Sequence, residues 1–261
     1  MIFSKKIILS ILIILLGINN LSFSFLMRNK HTDLLTITES QEDQDNSHEN
    51  YENDNIMSTL KNIKVGDIVE FGRFYDIVDD EIIKAPIKWQ VLDELNGFAL
   101  LITDYIIKTM PYNYSWSPTN WKESNIRLWL NNDFYDIAFN DDEKKHIQKV
   151  ITENTGNFMY NINAPYQTSD HVFLLSIEEA REYYKTSEAY MSLGTQYAIR
   201  EGLWISSYSS SVGYSVWWLR SPGRTWSSAA VVHAAGGIGF GGDGVATRGN
   251  GVRPCIWVKI N

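Results

Sequence analysis

Cysteine is almost missing from this chain: Cys255 is its only one in 261 residues. No intramolecular disulfide can form and no C-x-x-C pair can hold zinc, so the fold must rest on its apolar core. The 44% apolar content is ample for that, whether as one large domain or two small ones. Pro254 and Ile256 flank Cys255 inside a terminal strand pattern, which makes the thiol a small buried filler rather than a nucleophile or copper ligand. Positive charge is also scarce, with 23 Lys and Arg against 31 Asp and Glu. Of the net −8, residues 58–261 carry −4, because four positives sit in 1–30 and eight acids in 31–57. With no basic stripe to neutralise phosphates, nucleic acid is not expected as a partner.

The motifs of familiar chemistry are missing too. There is no H-E-x-x-H and no G-x-S-x-G nucleophile elbow. Gly237, Gly239 and Gly242 satisfy G-x-G-x-x-G, but no helix pattern follows, so a dinucleotide site is not expected. A calcium β-roll needs an acid at position 241, where Gly241 stands. The glycine loop 236–244 reads as tight turns and close strand approach, with Asp243, Asn250 and loop carbonyls leaving calcium as the alternative. Neither a cofactor nor a metal enters the reading.

What is present begins with a leader. Lys5 and Lys6 precede the apolar run Ile7 to Ile18, and Ser22-Phe23-Ser24 offers small residues for a signal peptidase. Residues 1–27 therefore read as a signal peptide or, if uncleaved, an N-terminal membrane anchor, which places the protein outside the cytoplasm, secreted or anchored. Residues 28–59 are rich in Glu, Asp, Asn, Gln and Ser and read as an acidic disordered linker. Residues 60–261 read as a single domain.

Within that domain the alternating stretch Ile68 to Phe74 predicts a strand, followed by a connection ending at Pro86. Asn96-Gly97 between Ile87 to Asp93 and Phe98 to Thr103 predicts a type I′ hairpin. Ile126, Trp129 and Leu130 at i, i+3 and i+4 predict a short amphipathic helix. Asn140 with Glu143, and Ser176 with Glu179, have the spacing of capping boxes, opening helices expected to reach Lys149 and Lys185. The acids Asp141, Asp142, Glu143, Glu178 and Glu179 then favour helix starts rather than hydrolytic chemistry. The segment 186–213 looks irregular and long enough to carry function.

The aromatic share of 13% is high, with nine Trp. Most rings belong in a core, but strand alternation in Trp217-Trp218-Leu219-Arg220 sets Trp218 and Arg220 on one face, where they either pack internally or stack on sugars and clamp carboxylates. The candidate ligand-binding residues are Trp218, Arg220, Arg224, Trp226, His233, Asp243 and Arg248.

The blocks VGDIVEFGRF, IKWQVLD, ALLITDY, WKESNIRLWLNNDFYDIAFNDDEKKHI, SDHVFLLSIEEAREYY, WWLRSPG and GVRPCIWVKI follow one another as in the bacterial domain of unknown function 6273, which residues Ile63 to Ile260 resemble. More distantly, W-x-R-S before a glycine loop and a terminal G-V-R-P resembles the C-type-lectin-like fold shared with formylglycine-generating enzymes. Those enzymes use a cysteine pair, and Cys255 stands alone, so their oxidase activity is not implied. The lectin calcium triplets Glu-Pro-Asn and Gln-Pro-Asp are absent as well. The resemblance implies an α+β, C-type-lectin-like fold with antiparallel sheets and two or three short flanking helices. The function expected is a non-enzymatic recognition module for an extracellular glycan or protein, touching membrane only through the N-terminal segment. The alternatives are an extracellular enzyme, with its cleft between 186–213 and the glycine loop, and a structural or assembly domain.

Overall fold

A computed structural model describes residues 58–260. The expectations for the leader and for the acidic linker up to residue 57 lie outside the described residues. Among the described residues no helix is long and apolar enough to cross a membrane.

The first sheet grows from two tight hairpins. Strand β1 (Ile68–Val78) returns as β2 (Glu81–Leu95) through Asp79 and Asp80, whose φ angles of 51° and 65° are both left-handed. Aspartate tolerates that region better than most residues, so a two-residue turn forms where the sequence suggested a longer connection. Asn96 and Gly97, at 53° and 81°, make the expected second hairpin into β3 (Phe98–Thr103).

Strand β4 (Lys108–Thr109) then leaves for a second sheet. The helical stretch follows as α1 (Asn125–Trp129), a π turn over Leu130–Phe134 and α2 (Tyr135–Ala138). Ile126, Leu130 and Phe134 are fully buried, while Trp129 lies half-buried at the edge of the stripe. Both capping boxes are present. Glu143 N donates to Asn140 Oδ1 at 2.8 Å to open α3 (Asp141–His146). Strands β5 (Ile147–Gln148), β6 (Val150–Asn154), β7 (Tyr166–Asp170) and β8 (Val172–Phe173) come next. Glu179 N donates to Ser176 Oγ at 3.1 Å to open α4 (Ile177–Tyr183). Both helices are shorter than their patterns suggested, because Ile147 turns into a strand and Tyr184 is already extended.

The segment 186–213 is less irregular than expected. It holds α5 (Ser187–Tyr190) and α6 (Gln196–Arg200), each started by a threonine cap. The C-terminal part supplies β9 (Trp217–Pro222), β10 (Ser228–Val232), β11 (Ile238–Gly244), β12 (Gly251–Val252) and β13 (Cys255–Lys259). The glycine run is thus mostly strand rather than loop. It pairs with β10 across a bulge between Ala229 and Val231. Gly242 has a φ of +65°, and a Cβ there would stand 2.0 Å from the Ala229 carbonyl oxygen, so only glycine fits.

One sheet has the order β1-β2-β3-β13-β5, with β8 also on β13; the other is β11-β10-β9-β12-β4, and β6 pairs with β7. Among the described strands all pairings are antiparallel except β9 with β12. The domain is therefore α+β, with mostly antiparallel, curled sheets and short helices. Trp89, Trp121, Trp217 and Trp218 are fully buried, so rings dominate the core.

Candidate functional site

Strand β9 is buried along its whole length, and this changes the role of two candidate residues. Trp218 has no exposed surface; its indole N–H donates to the Met110 carbonyl at 3.0 Å. Arg220 is 3% exposed. Its guanidinium donates to both oxygens of Glu179, and to the carbonyls of Leu174 at 2.8 Å and Glu153 at 3.0 Å. It also lies 5.8 Å from the Phe173 ring centroid. The outward strip that alternation offered is therefore not at the surface. Alternation correctly separates two faces, but the second face packs against the start of α4 and against β6 instead of water.

The rest of WWLRSP is equally committed. Trp217 Nε1 donates to the Tyr190 carbonyl, Ser221 Oγ accepts from Ile177 N at 3.0 Å, and the Pro222 carbonyl accepts from Asn157 Nδ2 at 2.9 Å. Glu179 closes the capping box of α4 and pairs with Arg220, so one carboxylate fixes the helix start to the central strand. Asp170 does comparable work nearby, accepting from Trp121 Nε1, Arg127 Nε, Thr152 Oγ1 and Thr168 Oγ1. Arg253 is also buried, donating to the Thr103 carbonyl and lying 4.9 Å from the Trp217 ring centroid.

The remaining candidates lie nearer the surface. Arg224 and Trp226 are exposed in the turn before β10, and Arg224 N donates to the Gly241 carbonyl at 2.9 Å. Asp243 pairs in register with Ala229, and its Oδ2 accepts from Asn250 Nδ2 at 2.8 Å. These three share one end of the β10–β11 pair. His233 is exposed at the other end of β10, roughly 16 Å away at about 3.3 Å per residue. Arg248 is exposed beyond the turn after β11, where its carbonyl accepts from Thr109 Oγ1.

The sequence reading missed the side chains that complete this end of the sheet. Tyr114 and Trp116 are 67% and 65% exposed, Phe158, Met159 and Tyr160 are 53%, 59% and 46% exposed, and Trp226 is 42% exposed. A Cβ on Gly244 would stand 2.1 Å from the Trp116 ring, and one on Gly241 would stand 3.2 Å from the Tyr160 hydroxyl. Phe158 meets Phe240 edge-on at 5.5 Å between centroids. Asn157 holds the Phe158 turn in place: its Nδ2 donates to the carbonyls of Pro222, Gly223 and Phe240. The glycines of β11 thus act as a floor without side chains on which rings from distant segments lie. Tyr112-Asn-Tyr114-Ser-Trp116-Ser carried a readable signal, since three aromatics alternate with polar residues at a period of two between Pro111 and Pro118.

Burial pushes the Cys255 thiol well above its usual range, with Glu179 adding to the effect. A fully buried thiol of that kind is an inert packing group, as its flanks suggested. A cleft of about 260 Å³ lies between the β1–β2 ribbon and residues 105–107. It includes Thr195 from the 186–213 segment but not the glycine strand that the enzyme alternative placed beside it.

Fold and surface define an α+β domain that presents exposed aromatics on a glycine-rich edge strand. Over residues 96–260 the sequence matches the family described as Domain of unknown function (DUF6273), and the chain belongs to it. The match begins in the β2–β3 turn, so β1 and all of β2 precede it although they pair into the same sheet. Comparison with curated proteins and with solved structures finds no match.

Proposed function

We propose that this domain is a non-enzymatic recognition module of C-type-lectin-like type, displayed outside the cytoplasm, that binds an extracellular glycan through the aromatic end of β11. The observation that carries this reading is that exposed Trp116 lies against Gly244 and exposed Tyr160 reaches Gly241, while the turn holding exposed Arg224 and Trp226 is tied to the same strand through Arg224 N and the Gly241 carbonyl. Flat, exposed rings stack on sugar faces, and a guanidinium supplies hydrogen-bond donors to hydroxyl or carboxylate groups. Six exposed large apolar side chains on the three segments that reach this strand are also more than an inert surface ordinarily keeps.

The contact set is therefore Trp116, Tyr160, Arg224 and Trp226, with Asp243 and Arg248 at its margin. Trp218 and Arg220, buried in β9 two strands away, are not part of it. Glycan and cell-wall polysaccharide arrays test the reading. Trp116→Ala and Trp226→Ala should each weaken binding roughly 30-fold, as loss of about 2 kcal/mol at a central aromatic contact implies. Both variants should melt like the parent. Binding that both substitutions leave unchanged overturns the assignment, and array silence with capture of a protein through the same rings transfers it to a protein ligand.

A further inference from the structure

We propose that the cleft beside the β1–β2 ribbon is a second binding site, separate from the aromatic end of β11, and that it takes a small organic cation such as an alkylammonium or guanidinium group. The cleft of about 260 Å³ is walled by Phe74, Tyr75, Pro86, Ile87, Tyr105 and Ile107, with Glu70, Asp76 and Lys88 as its charged groups. Its size falls below the usual range for drug-sized ligands and suits one side chain or one small amine rather than an oligosaccharide or a cofactor.

The charges choose among ligands of that size. Glu70 and Lys88 stand directly opposite each other across the β1–β2 pairing, so their charges offset one another locally. Asp76 is left over. Its Oδ1 accepts from Ile77 N at 2.8 Å and Tyr197 N at 3.2 Å, which fixes the carboxylate in place. Among the described residues its Oδ2 takes no hydrogen bond, and no Lys or Arg pairs with it. An oriented carboxylate with one open oxygen, set among aromatic walls, suits a cation that can donate to the oxygen and lie against a ring. The neighbouring rings already accept such a contact: Lys108 Nζ lies 5.5 Å from the Tyr197 centroid, and Tyr197 in turn meets Tyr75 at 5.5 Å. Lys108 itself is engaged with Glu201 at 3.7 Å and leaves the Asp76 position open.

The test is a titration of the folded domain, followed by amide chemical shifts, with N-acetyl-lysine methylamide and N-acetyl-arginine methylamide. The neutral norleucine analogue and methyl glucoside serve as comparisons. The cationic probes should shift residues 74–76 and 105–107 with millimolar affinity, and the neutral ones should not. Asp76→Asn keeps the Oδ1 acceptor for both backbone N–H groups but removes the charge, so it should melt like the parent and bind the cations at least fivefold more weakly. Should Asp76→Asn fail to fold, Tyr105→Leu removes a wall ring at an exposed position and should give the same direction of change. Equal binding of neutral and cationic probes overturns the proposal, as does binding unaffected by the substitution or no shift with any probe. None of these outcomes depends on whether a glycan binds at β11.

Discussion

Replacing Arg220 by methionine should destabilise the domain strongly without any ligand being present. The guanidinium is buried and makes four hydrogen bonds, two to Glu179 and one each to the carbonyls of Leu174 and Glu153. Methionine fills similar space but leaves those acceptors without a donor and Glu179 without its counter-charge. One-sided removal of a buried ion pair costs about 3–5 kcal/mol. The Glu179 side chain keeps 25% of its exposure and can draw water, which sets the expectation at the lower end, about 3 kcal/mol. For a domain of this size, each kcal/mol moves the melting midpoint by about 2–4 °C, so Arg220→Met should melt roughly 6–12 °C lower. Calorimetry or circular dichroism reads this directly. A double-mutant cycle with Glu179→Gln, which keeps the cap acceptor for Ser176 N, should return a coupling of at least about 1 kcal/mol. A midpoint within about 2 °C of the parent, or no coupling, would refute the structural role given to this strand.

High pH should weaken the fold. Burial raises the phenols of Tyr112, Tyr183 and Tyr184 and the Cys255 thiol above their ordinary values of 10.0 and 9.0. Such groups ionise more readily in the unfolded chain, so their contribution is intact below those values and is lost as pH rises through and above them. Denaturant melts should show stability falling between about pH 9 and pH 11, with phenolate absorbance from these rings appearing only as the chain unfolds; flat stability over that range would contradict the burial. Two adjacent glycines should behave oppositely. At Gly236, with φ +80°, an added Cβ would stand 1.8 Å from the Ser187 carbonyl oxygen, whereas at Gly237 nothing lies within 4 Å. Gly236→Ala should therefore cost at least about 2 kcal/mol, and Gly237→Ala should stay within about 0.5 kcal/mol in denaturant melts.

Local chemistry made much of this fold legible. Asn96-Gly97, Asn140 with Glu143 and Ser176 with Glu179 act through neighbours three residues away or fewer, so short-range patterns found them. The Asp79-Asp80 turn escaped because aspartate occupies left-handed positions less often than asparagine or glycine. The glycine strand escaped because its order comes from β10 and from the rings lying on it, not from its own propensity. Arg220 looked available because its partner Glu179 is 41 residues earlier, and a buried arginine cannot be told from an exposed one until that pairing is seen. The aromatic end of β11 is assembled from segments near 116, 160 and 226, and no local period links them. Its individual rings could be suspected from sequence, but the strand to which their segments attach is set by the fold.

Hydroxyl-radical footprinting of the domain, alone and with the glycan selected by the array, tests the central claim most directly. Protection should appear at Trp116, Tyr160 and Trp226. Trp204 and Tyr208, which are 44% and 71% exposed, should react equally in both states. Protection at Trp204 and Tyr208 with none at Trp116 and Trp226 would contradict the placement of the recognition surface on the glycine strand.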